Sequence, residues 1–325
     1  MSWRFSCAPL ALLTLAGGSV YAQSASIHGP VAGFVFSAAS HTVRPILGVP
    51  GSLHVDAALL NNVDSAFIAP GGQWALTITA GQPAFVSGLA DLAPAAVSTS
   101  GLINAIDNVV WSRDGSFALL YSSSGNQLQR VQLSATAASA DSPIDLSSWG
   151  RAVALAIDPA GKQIAFGVTG SGIYRFTVGQ SPALLSSIAQ PAAAAFDSTG
   201  SYLYVIDQDS QQILQYPASG SGTTFASLAQ PDGSPALSPT GLALSGDGRY
   251  LLFADRTTPA ALVYEIASHN LVNTIPLDFS PSRFSALSAG PAFLLNGDNP
   301  QEWLLVLDAS QAPTVYFVPA SQEEL

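Results

Sequence analysis

The chain has 325 residues, of which 48% are hydrophobic and only 10% charged, against about a quarter charged in an ordinary globular domain. That apolar share supplies a large core and argues against disorder. Ten basic residues against 21 acidic ones give a net charge of −11, and Lys162 is the single lysine, so nucleic acid and anionic membrane surfaces are expected to be poor partners.

The first residues, MSWRFSCAPLALLTLAGGSVYAQ, read as an export leader. Arg4 supplies the positive start, Ala8 to Ala16 a short apolar run, and Val20-Tyr21-Ala22 the small residues of a cleavage site. The run is shorter than the roughly 20 residues of a membrane span. Residues 1–22 are therefore expected to be a signal peptide and 23–325 one exported, monomeric domain, periplasmic or secreted. Cleavage after Ala22 removes Arg4 and Cys7, the only cysteine, and takes the charge from −11 to −12. Without thiols, stability must come from burial rather than disulfides.

Six segments then share one pattern, a short apolar run, a polar turn ending in glycine, and a second apolar run. They are SAFIAPGGQWALTIT from Ser65, NVVWSRDGSFALLYS from Asn108, VALAIDPAGKQIAFGV from Val153, AAAAFDSTGSYLYVID from Ala192, GLALSGDGRYLLFAD from Gly241 and FSALSAGPAFLLNGD from Phe284. The turn glycines Gly72, Gly115, Gly161, Gly200, Gly248 and Gly290 are 43, 46, 39, 48 and 42 residues apart. A period near 40 to 45 built from runs of five to seven apolar residues predicts four-strand propeller blades rather than helical repeats. Asp158-Pro159-Ala160-Gly161 and Asp197-Ser198-Thr199-Gly200 have the aspartate first and glycine last of a type I turn, so these acids read as structural. Further strands are predicted at Ala261–Ile266 and Leu271–Leu277, and the last unit supplies all four of its own. The residues before Asp64 hold two strands, VAGFVFS and TVRPILG, read as the third and fourth strands of one more blade. The expected fold is thus an all-β propeller of four antiparallel strands per blade, with seven blades; six blades plus an N-terminal hairpin is the alternative count.

The stretch TGLALSGDGRYLLFADRTTPAALVYEIASHNLVNTIPLD resembles the repeat of YVTN-type β-propellers, a G-x-A-x-S-x-D-G-x-x-L-Y-V pattern followed by V-x-V-x-D and T-V-x-x-I. VAGFVFSAASHTVRPILGVPG is similar to the second half of that repeat. The fourth unit departs from it, with YLYVID where the family has L-Y-V-A-N. The resemblance implies a secreted bacterial propeller whose fold is shared with a lactonase, and a fold of this kind fixes function poorly.

No nucleophile elbow G-x-S-x-G and no H-E-x-x-H is present. His28, His41, His54 and His269 lack metal-ligand spacing, and the glycines near Ser219 to Gly222 lack the lysine of a phosphate loop. Propeller topology places interblade chains and second-to-third-strand turns on one face. There Asp207, Asp209, Asp255, Arg256 and Asp298, with Asp232 and Asp278 between blades, form an expected acidic channel mouth that could bind a substrate, a protein or a calcium ion. Trp74, Trp111, Trp149 and Trp303 flank strands and are expected to pack between blades. The main expectation is a non-enzymatic propeller that acts as a binding or interaction scaffold. The alternative is a lactonase-like hydrolase using the acidic mouth, with Arg256 holding an anionic substrate group.

Overall fold

The computed structural model describes residues 29–229, 237–279, 281, 284–287, 292–295, 304–308 and 314–319. The expected leader, Asp232, Asp298 and Trp303 lie outside them.

Among the described residues the chain is all-β, with six antiparallel blades laid down in sequence order over residues 65–97, 108–145, 152–186, 191–227, 239–276 and 285–318. The fifth shows the plan: Pro239–Leu244, Tyr250–Asp255, Ala260–Glu265 and Asn270–Pro276, each paired with the next. The second blade adds a short strand, Ile144–Asp145, on its third. The last blade makes its four strands from its own unit, as its sequence predicts.

Seven four-strand blades are not formed. Residues before Asp64 give a three-strand sheet, Val31–Ser37, Thr42–Leu47 and His54–Val55, wedged between the sixth and first blades. The two strands expected there are present, but as the first and second strands of their sheet rather than the third and fourth of a blade, with the two-residue His54–Val55 as its third. At one mouth of the ring the first and sixth blades meet directly, where Gly71 N donates to Leu287 O at 3.2 Å.

Why the second strands are nearly continuous in apolar residues follows from the packing. Each lies between two neighbouring blades, so both faces are buried. FALLYS of Phe117–Ser122 sends Ala118 and Leu120 into the core shared with the first blade, and Leu119 and Tyr121 into that shared with the third. YLYVID of Tyr202–Asp207 divides the same way, Leu203 and Val205 to one side and Tyr204 and Ile206 to the other. Trp111 meets Phe85 of the first blade edge-on at 6.3 Å, Trp74 meets the same ring from within that blade, and Trp149 packs on Phe166 at 6.4 Å; all three belong to cores shared between neighbouring blades. The three-strand sheet extends this pattern around the ring: Phe34 and Val43 join the core of the first blade, Val35 and Ile46 that of the sixth.

Candidate functional site

The first strand of each blade lies nearest the axis, where successive first strands pack on one another. These strands are made of small and aliphatic residues, such as AVALAI and PAAAAF. They leave an axial cavity of about 170 Å³ to which all six blades contribute. It opens at the mouth formed by the first-to-second-strand turns.

Those turns explain the cavity's rim. Each closes with a backbone bond from its last glycine to its first residue: Gly115 N to Ser112 O at 2.9 Å, Gly161 N to Asp158 O at 3.0 Å, Gly200 N to Asp197 O at 3.1 Å and Gly248 N to Ser245 O at 2.9 Å. The first blade does the same with Gly72 and Ala69 at 2.9 Å. The second residue of each turn then points to the axis, and these residues, Pro70, Arg113, Pro159, Ser198 and Gly246, line the cavity. Arg113 is the single charged group among them. It is half-buried, and among the described residues its guanidinium has no hydrogen bond or ion pair.

The turn acids face their own backbone. Asp158 accepts from the amides of Lys162 at 2.6 Å and Gln163 at 2.9 Å, and Asp197 from that of Ser201 at 2.7 Å. Both are structural, as the turn chemistry predicts. Asp114 and Asp247 occupy third turn positions and accept from Ser112 and Ser245 hydroxyls at 2.8 and 2.6 Å. Partial burial pushes both carboxyls up, but these hydroxyls and the amides of Ser116 and Arg249 outweigh it and hold them below the ordinary 3.8.

The acidic residues expected at a channel mouth lie at the opposite end. Asp207 and Asp255 end the second strands of adjacent blades, at equivalent positions, and are 4% and 0% exposed. Each carboxylate ties a second-to-third-strand turn to the chain entering the blade. Asp207 accepts from the amides of Asp209 at 3.2 Å and Gln190 at 3.4 Å; Asp255 accepts from Ser238 at 2.5 Å, Thr258 at 2.7 Å and Thr257 at 3.4 Å. Asp209 and Arg256 are exposed beside them. No group of three or more His, Cys, Asp or Glu residues suited to holding a metal ion occurs among the described residues.

Sequence reasoning missed Arg113. The signal was present in the repeat register: with the six turns aligned, the second position is Pro, Arg, Pro, Ser and Gly in the first five, and one residue in that column carries a charge.

The chain is thus a β-propeller with an axial cavity. No family model matches it, and no curated protein matches it in sequence. Solved structures do match in fold. The periplasmic gluconolactonase of Pseudomonas aeruginosa aligns with a TM-score of 0.58 at 16% identity, over 88% of this chain and 98% of that one. A Bacteroides fragilis protein provisionally named a 6-phosphogluconolactonase aligns with a TM-score of 0.59 at 14% identity, over 88% and 95%. A protein of unknown function from Desulfotomaculum acetoxidans gives a TM-score of 0.59 at 14% identity, over 88% and 98%. Neighbours named as lactonases correct the expectation of a non-enzymatic scaffold. No helix among the described residues is long and apolar enough to cross a membrane.

Proposed function

We propose that this chain is an exported, lactonase-like hydrolase related to the YVTN-type propellers, and that the axial cavity is its working site. The observation that carries the reading is Arg113, a cation with no ion pair among the described residues, on the rim of a cavity built by all six blades. Fold likeness to a protein named a periplasmic gluconolactonase supports both the activity and the export.

Lactone opening adds water to the ring carbonyl and places negative charge on its oxygen in the tetrahedral intermediate. The ring C–O bond then breaks, the ring oxygen takes a proton, and a hydroxy acid leaves as its carboxylate. A fixed positive donor at the carbonyl oxygen lowers the barrier to this charge separation. Arg113 is that donor in our reading, and the apolar walls strengthen its field by limiting water. Once the ring is open, the same guanidinium holds the product carboxylate through paired N–H bonds.

The test is proton release from simple γ- and δ-lactones in a pH-stat, corrected for spontaneous hydrolysis. Wild-type protein should accelerate opening of at least one of them, and Arg113→Gln should lower kcat by about 10²-fold, as loss of one oxyanion donor does. Proton release at the spontaneous rate for the whole panel would overturn the reading.

A further inference from the structure

We infer that the axial cavity selects a small lactone or hydroxy acid with an apolar body, not a polyhydroxylated sugar acid. The inference rests on the cavity being the working site proposed above and names the class of compound it takes.

The walls decide the matter. Val110, Trp111, Ile157, Phe196, Leu242 and Phe293 surround the space, with alanines between them. Among the described lining residues, polar side-chain groups come from Arg113, Ser198 and the Trp111 indole N–H alone. Among the described residues no carboxylate lines the cavity, because the turn acids bond back to their own amides and hydroxyls. A six-carbon sugar acid would bring five hydroxyls into a space with two neutral polar side chains, its further partners being backbone groups on the inner edges of the first strands, and each hydroxyl these do not reach would lose water without replacement. An alkyl chain of the same length would meet matching apolar walls, with its carboxylate on Arg113. Size agrees as well: apolar cavities of about 150 Å³ take a benzene-sized guest.

Hexanoate and gluconate share six carbons and one carboxylate and differ in hydroxyls, and 1-hexanol lacks the charge. Titration calorimetry of the full chain with the three should show hexanoate binding at least about tenfold more tightly than gluconate. Arg113→Gln should weaken hexanoate about tenfold and change 1-hexanol less than about twofold. Ala195→Leu, which fills the cavity from a first strand, should weaken both; its fold is checked by circular dichroism. Gluconate binding as tightly as hexanoate, indifference of hexanoate to Arg113→Gln, or no hexanoate binding at all would overturn the inference. Parallel assays with γ-caprolactone and glucono-1,5-lactone separate the two proposals. Hexanoate bound through Arg113 with neither lactone opened removes the hydrolase reading and leaves the ligand class standing. Glucono-1,5-lactone opened by a protein that prefers gluconate does the reverse.

Discussion

Asp255 is wholly buried, yet its carboxyl oxygens meet three backbone amides, so the fold itself supplies their hydrogen bonds. Asp255→Asn would set an NH2 donor among donors and leave buried amides without an acceptor. Urea unfolding should show a loss of about 2 kcal/mol, within the usual cost of stranding a buried polar group. Acid sensitivity is argued from Asp114 and Asp247. Their carboxyls titrate below the ordinary 3.8 in the folded protein, so the unfolded state binds protons first as pH falls. The stability they contribute is complete above about pH 4 and disappears as pH drops through the folded values. The melting temperature of wild-type protein should therefore fall below pH 4 more steeply than that of an Asp114→Asn, Asp247→Asn double variant; parallel slopes would contradict this assignment.

At the scale of elements, the first-to-second-strand turns both close blades and touch their neighbours. Gly161 has φ +64°, and a methyl there would run into the Phe117 ring of the preceding blade. Arg130 of that blade covers Phe117 at 5.3 Å, pairs with Asp141 at 2.6 Å and donates to Gly161 O at 2.8 Å. Gly161→Ala should consequently destabilise the protein by about 1–3 kcal/mol in thermal unfolding, whereas the same exchange in a helix interior would stabilise it. Loss near zero would mean that the turn relaxes without disturbing the interface. These turns are also where the sequence was most readable. Positive-φ glycines, leading Asp or Ser and a regular period reflect local backbone demands, so strands such as Ala260–Glu265 and Asn270–Pro276 fall within a residue or so of the positions expected. Asp207 and Asp255 were legible as acids at strand ends but not as buried anchors. Their amide partners, at Gln190 and Ser238, lie 17 residues away in sequence, and only the assembled blade brings them together.

Over the whole molecule, the number of blades depended on how distant parts of the chain meet, which no local pattern encodes. The bond between Gly71 and Leu287 joins residues at opposite ends of the fold and brings six blades to one mouth, while the three-strand sheet fills the remaining gap between cores. The same closure turns five unrelated-looking turn residues into one rim and gives Arg113 its place on the axis. If that axis is where the protein works, blocking it should matter more than altering the opposite face. The most direct measurement is the initial rate of lactone opening by wild-type protein and by Ala195→Leu and Arg113→Gln. The account predicts acceleration by the wild type, a loss of about 10²-fold in Arg113→Gln and of about tenfold or more in Ala195→Leu. Full activity in both variants, with loss appearing instead when Asp209 and Arg256 are replaced, would contradict it.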